Sequence, residues 1–105
     1  VTGLKLRNVK TDDERVLATS AVFIAIGMRP YTAFLEGDLE TDGGGYIVAD
    51  AMGRTTMPGV FAAGDVRTKE LRQVVTAVAD GANCAQSASE FLEAKEAIEE
   101  APSAL

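Results

Sequence analysis

The apolar tetrapeptide Val60-Phe-Ala-Ala63, ended by Gly64-Asp65 and followed across a polar connection by helical periodicity from Arg72 to about Lys95, most constrains this fold. A short apolar run closed by glycine and aspartate reads as a strand with a sharp exit. The helical stretch places Val74, Val78, Ala82, Ala85 and Leu92 on or near one stripe, the periodicity of a helix. Gly81 costs that helix roughly 1 kcal/mol relative to alanine, and offers room for another backbone to approach. Strand, turn and helix in this order predict an α/β fragment: short strands, the remnant of a β-hairpin and a long carboxy-terminal helix.

Upstream, Leu4 and Leu6 alternate with charged neighbours in Val1–Val9, the period-two pattern of a half-buried strand. The polar Lys10–Glu14 turns the chain into Arg15-Val-Leu-Ala18, and a hairpin is expected although the strong Asn-Gly signal is lacking. Ala21-Val-Phe-Ile-Ala-Ile26 is a continuous apolar run stopped by Gly27 and Pro30, the composition of a strand covered on both faces. Tyr46–Ala49 is a further strand candidate. The glycines of Asp42-Gly-Gly-Gly45 precede it, whereas a dinucleotide fingerprint needs its glycines between a strand and a helix, so they read as a plain turn. The closing Glu96–Leu105 is an acidic tail expected to fray.

Composition narrows the chemistry. With 105 residues there is room for one small domain. A formal charge of −6 and no basic stripe argue against nucleic acid as a partner. No apolar run approaches the roughly 18 residues of a bilayer span, so no membrane role is expected. One cysteine, Cys84, and no histidine exclude an internal disulfide, a CxxC pair, the common zinc sites and a Ser/His triad within this sequence. Neither a metal site nor a catalytic residue is assigned. No signal-like segment is seen, and an opening at Val1 reads most simply as a processed or truncated chain.

Asp65 stands at the carboxyl end of a strand, where open α/β sheets bind ligands, and its carboxylate suits the hydroxyls of a ribityl or ribose group. The helix that opens at Arg72-Gln73 presents unpaired N–H groups and a positive dipole end to electron-rich ligand atoms.

Thr55-Thr-Met-Pro-Gly-Val-Phe-Ala-Ala-Gly-Asp-Val66, followed by Leu71-Arg-Gln-Val-Val-Thr-Ala77, resembles the second FAD motif of low-molecular-weight thioredoxin reductases, within the pyridine nucleotide-disulfide oxidoreductases. Val22-Phe-Ile-Ala-Ile-Gly-Met-Arg-Pro-Tyr-Thr-Ala33 is similar to the segment by which such enzymes leave the NADPH domain and re-enter the FAD domain. The likeness covers about residues 1–95. It implies a partial FAD/NAD(P)-binding Rossmann-like domain: residues 1–30 closing the NADPH domain, 31–95 the carboxy-terminal half of the FAD domain, and 96–105 the tail. It also implies a cytoplasmic, homodimeric parent enzyme that passes electrons from NADPH through FAD to a CxxC disulfide and on to thioredoxin. Carried over residue by residue, Asp65 would hold the ribityl chain, and Arg72, Gln73 and Val74 would contact the ribityl and isoalloxazine edge. Gly27, Gly64 and Val66 complete the cofactor-binding set. The first FAD motif, the NADPH-binding loop and the redox pair are absent from this sequence, so a partial FAD surface without activity of its own is expected.

Each of these residues also has a plainer reading. Asp65 would serve as a helix cap, Arg72 and Gln73 as solvated surface residues, and Gly27 as a strand stop. Cys84, among Ala82 and Ala85, reads as a small packing residue. Two other functions compete: a segment of a ferredoxin-NADP or peroxiredoxin-linked flavoprotein reductase, and a noncatalytic binding module.

Overall fold

The computed structural model describes residues 1–35 and 37–100. Strands β1 (Gly3–Arg7) and β2 (Glu14–Ala18) pair antiparallel, with Gly3 opposite Ala18 and Arg7 opposite Glu14. The turn lacks Asn-Gly, but Asn8 does equivalent work. Its side-chain oxygen accepts the Lys10 and Thr11 N–H groups at 2.9 and 3.3 Å, and Asp12 takes the left-handed conformation at φ 66°. Lys5 and Arg7 pair with Glu14 and Asp12, but in solvent, where such pairs contribute little. The hairpin packs against no other element among the described residues.

Three strands expected from apolar runs do not form. Ala21–Ile26 has no assigned secondary structure, and Phe23 and Ile26 are 95% and 92% exposed. A run of that composition needs paired neighbours for its backbone and layers over both faces, and neither is present among the described residues. Tyr46–Ala49 and Val60–Ala63 are reduced to isolated bridges: Ile47 with Thr41 and Arg67, and Arg54 with Phe61. Turns crowd each of them too closely for a ladder to extend. Asp42 Oδ1 accepts the N–H groups of Gly44 and Tyr46, which makes the glycine run a plain turn.

A small core gathers where these segments meet. Leu39, Ile47 and Ala62 are buried, with Leu35, Ala49, Val60 and Val66 against them. Ile47 donates its N–H to Val66 O and accepts the Thr68 N–H, both at 2.9 Å, so the segment around residue 47 holds the chain leaving the Gly64–Val66 turn.

Helix α1 (Val74–Glu100) begins two residues later than expected and runs through five residues of the stretch read as a fraying tail. Glutamate and alanine dominate there and are strong helix formers, and Lys95, just before the stretch, faces Glu99 one turn on. Residues 101–105 of that stretch lie outside the described residues. The apolar stripe of α1 is not the face that packs on the described residues. Val74, Val78 and Leu92 are 82%, 67% and 56% exposed, while Asp80 and Ser87 are buried and Ala77, Asn83 and Cys84 are half-buried.

The reason lies in what the helix covers. The segment beneath it, residues 51–64, has almost no ladder pairing, so its backbone groups need side-chain partners. Asn83 Nδ2 donates to Ala51 O (3.2 Å), Ser87 Oγ to Met52 O (2.9 Å) and the Cys84 thiol to Ala62 O (3.5 Å). Asp80 accepts the Gly64 N–H. Gly81 faces open space, so the anticipated close approach does not occur there. It occurs at Gly53 and Gly59, with φ of +78° and +82°, under Cys84 and the Phe91 ring.

Candidate functional site: a clamped turn beside two depressions

Gly64–Val66 forms a single 3₁₀ turn between the core and α1. Gly64 sits at φ +80°, which a residue with a β-carbon adopts only at a cost. Asp80 Oδ2 takes the Gly64 N–H at 2.9 Å on one side. On the other, Arg72 donates from Nε to the Asp65 carbonyl (3.1 Å) and from Nη2 to the Arg67 carbonyl (3.2 Å). The Arg72 guanidinium also lies 3.8 Å from the Tyr46 ring centroid, a cation–π contact that settles its direction.

Behind the turn is a buried charge cluster. Arg67 Nη1 donates to Asp80 Oδ1 at 2.9 Å and Lys69 Nζ to Asp80 Oδ2; all three side chains are at most 10% exposed. Arg67 Nη2 reaches the carbonyls of Ala49 and Asp50, leaving Nε without a partner. The Lys69 hydrogen bond, joined by the Gly64 N–H and the Arg67 charge, holds the Asp80 carboxyl below the ordinary carboxylate range, against burial that pushes it up.

The Asp65 side chain takes no part in this cluster and is exposed. It borders two depressions. One, of about 160 Å³, is walled by Met28–Tyr31, Tyr46 and Val66. The other, open and of about 370 Å³, is walled by Gln73, Val74, Ala77 and Val78 at the helix opening. The larger depression on the hairpin, about 490 Å³, is lined by Leu6–Asn8 and Asp13–Arg15 and lies away from the turn.

Of the residues singled out in the sequence, the structure thus brings Asp65, Val66, Gln73 and Val74 to the two depressions, with Gly64 shaping the turn. Arg72 is close by, but its guanidinium is spent on carbonyls and on Tyr46. Gly27 adopts φ +103° beside Met28 and lines neither depression. Gln73 precedes the helix: its N–H donates to Thr76 Oγ1 (3.1 Å), while Val74 and Val75 open the first turn. Tyr46, Arg67, Lys69 and Asp80 were not anticipated. A signal existed for Asp80, which falls at helical spacing with Ala77, Cys84, Ser87 and Phe91, the face that packs.

Cys84 is half-buried, and burial, reinforced by the Asp80 charge, pushes its thiol up from the ordinary range. Such a thiol stays protonated at neutral pH. Among the described residues, no group of three His, Cys, Asp or Glu side chains is placed to hold a metal, and no helix is long and apolar enough to cross a membrane.

The chain as a whole is similar to known proteins. The thioredoxin reductase of Treponema pallidum (strain Nichols) is 50% identical over 93 residues, 89% of this chain and 30% of the relative. A component of the alkyl hydroperoxide reductase of Pseudomonas putida is 42% identical over 92 residues, 88% of this chain and 18% of the relative. Among solved structures, the thioredoxin reductase of Streptococcus pyogenes MGAS5005 superposes with a TM-score of 0.69 at 46% identity, over 89% of this chain and 30% of that one. The chain therefore spans about a third or less of the length of these relatives, and its short strands and long helix are part of a Rossmann-like α/β domain. A family profile described as pyridine nucleotide-disulphide oxidoreductase matches residues 1–81, and to that family the chain belongs.

Proposed function

We propose that this chain is the FAD-binding carboxy-terminal part of an NADPH-dependent thioredoxin-disulfide reductase, incomplete as a catalyst by itself. One observation carries the reading: Asp65 is exposed between two depressions, on a turn whose backbone is held from both sides. The donor set suits a flavin. A carboxylate accepts from ribityl hydroxyls, and the opening turn of a 27-residue helix offers N–H groups without helical acceptors to electron-rich ligand atoms. Gln73 and Val74 line the same depression as Asp65. FAD, when bound, supplies the two-electron relay between NADPH and a disulfide. The chain's own residues hold and orient: Asp65 grips a polyol, α1 presents its opening turn, and Arg72 keeps the turn in place. With a single half-buried cysteine, the chain supplies no redox pair, and a dithiol elsewhere in the protein would complete the reaction. Gly27, which touches neither depression, is proposed only as the flexible exit to the segment from Met28 to Tyr31.

The named thioredoxin reductase relatives favour thioredoxin as the electron acceptor, and the homodimeric, cytoplasmic parent rests on the family resemblance alone. Identity to the alkyl hydroperoxide reductase component supports a second reading, in which a peroxiredoxin system takes the electrons. FAD titration of the full-length protein with Asp65→Ala tests the site. Losing a hydrogen bond to a charged group typically costs about 1.5–3 kcal/mol. Flavin affinity unchanged in a folded variant would refute the assignment, and turnover with thioredoxin against a peroxiredoxin partner separates the two acceptors.

A further inference from the structure

Asp80 is the one buried carboxylate among the described residues, and none of the functions above uses it. A carboxylate taken out of water needs compensating charge, and here the compensation comes from Arg67 and Lys69, both on the connection leaving the Gly64–Val66 turn. Stability alone does not call for such a cluster, since well-packed apolar side chains of similar volume often serve as well or better. What an apolar side chain could not do is accept a backbone N–H. Asp80 Oδ2 accepts that of Gly64, the residue immediately before Asp65, at 2.9 Å. Gly64 is held at φ +80°, and Ala77, one helical turn before Asp80, closes the space beside its Cα. The opposite side of the turn is fixed by Arg72 through the Asp65 carbonyl. The backbone on both sides of the Asp65 Cα is therefore tied down, and only its side chain remains free to meet a ligand.

We infer that Asp80 is a positioning residue for the flavin: by holding the Gly64 N–H against a buried Arg67–Lys69 pair, it sets where the Asp65 carboxylate stands. This rests on the reading of Asp65 as the ribityl-binding group. It extends the site from the exposed rim to the helix behind it, where no ligand contact is required.

The test compares variants of the full-length flavoprotein bearing this segment, read by the FAD dissociation constant and by the visible circular dichroism of the bound flavin, which reports the asymmetry of its surroundings. Asp80→Ala is expected to weaken FAD at least tenfold and to alter the dichroism of the flavin that remains. Asp80→Asn keeps an oxygen able to accept the Gly64 N–H and is expected to recover part of the affinity. Ser87→Ala removes a hydrogen bond from the same helix face, away from the turn, and is expected to lower thermal stability while leaving affinity and dichroism within about twofold. If Asp80→Ala does not fold, Asp80→Asn against Ser87→Ala decides, with at least a threefold loss of affinity expected only in the former. Unchanged affinity and dichroism at position 80, or equal changes at 80 and 87, would overturn the role. Asp65→Ala separates the two levels: if it weakens FAD and the Asp80 variants do not, only the positioning role falls; if it too has no effect, the flavin reading itself falls.

Discussion

The Cys84 thiol occupies the space into which a β-carbon on Gly53 would project, with the Ala62 carbonyl closing the other side. Helix α1 and the segment beneath it therefore meet here at backbone distance, and Gly53, at φ +78°, is both the turn and the contact.

Gly53→Ala should destabilise the fold by about 2–5 kcal/mol, combining left-handed strain of about 1–2 kcal/mol with overpacking of about 1–3 kcal/mol. Denaturant midpoints measure the loss. Adding Cys84→Gly should return the overpacking share but not the strain, so a double-mutant cycle is expected to show favourable coupling.

Cys84→Ala should preserve NADPH-dependent disulfide reduction in the full-length protein, with only a modest loss from sulfur packing. A fall in turnover of a hundredfold, equivalent to about 2.7 kcal/mol, would put the thiol in the electron path. The thiol also gives a pH signature. Burial raises its folded pKa above the unfolded value of about 8.5, so the folded state keeps a proton that the unfolded state loses. Stability should decline as pH rises past that value, and Cys84→Ala should remove that part of the decline.

Asp80 acts on the acid side. Its carboxyl titrates below the ordinary value of about 3.9, so its contribution is complete above that value and disappears as pH falls through the folded pKa. Asp80→Asn should flatten the acid limb of the stability profile. At neutral pH it should cost about 3–5 kcal/mol, because two buried cations lose their anion. Urea midpoints between pH 3 and pH 7, as an approximate working range, supply both measurements.

Arg72→Lys should not be conservative. An ammonium cannot reach two carbonyls in a fixed fork while stacking on Tyr46, so a loss of about 1–2 kcal/mol is expected, from stacking and one hydrogen bond. Tyr46→Leu should reproduce the stacking share, and the two changes should be less than additive in thermal melts.

How far composition and spacing reach can be judged from particular elements. The hairpin follows from the alternation of Leu4 and Leu6, and the helix from its propensities, even past residue 95. The three missing strands share one cause: apolar runs report what a segment could bury, while pairing depends on neighbours far along the chain. The apolar stripe of α1 does not cover the described residues, because residues 51–64 present backbone carbonyls, which the polar face meets instead. Asp65, Gln73 and Val74 meet at one depression because the Gly64–Val66 turn and the helix opening are close in sequence. The Arg67–Lys69–Asp80 cluster escaped notice for the opposite reason, since charged residues read singly resemble a solvated surface.

The polar face of α1 divides the positions beneath it into two kinds. Asn83, Ser87 and Cys84 grip the carbonyls of Ala51, Met52 and Ala62, groups that every amino acid possesses. Side chains at exposed positions such as Ala51 can therefore be exchanged without the helix losing its hold, and a randomised library there should retain most of its members. Gly53 and Gly59 are the exceptions, because the helix touches them where any substituent would stand. A deep mutational scan of residues 51–60 should show two intolerant glycines, six residues apart, separated by more permissive ground.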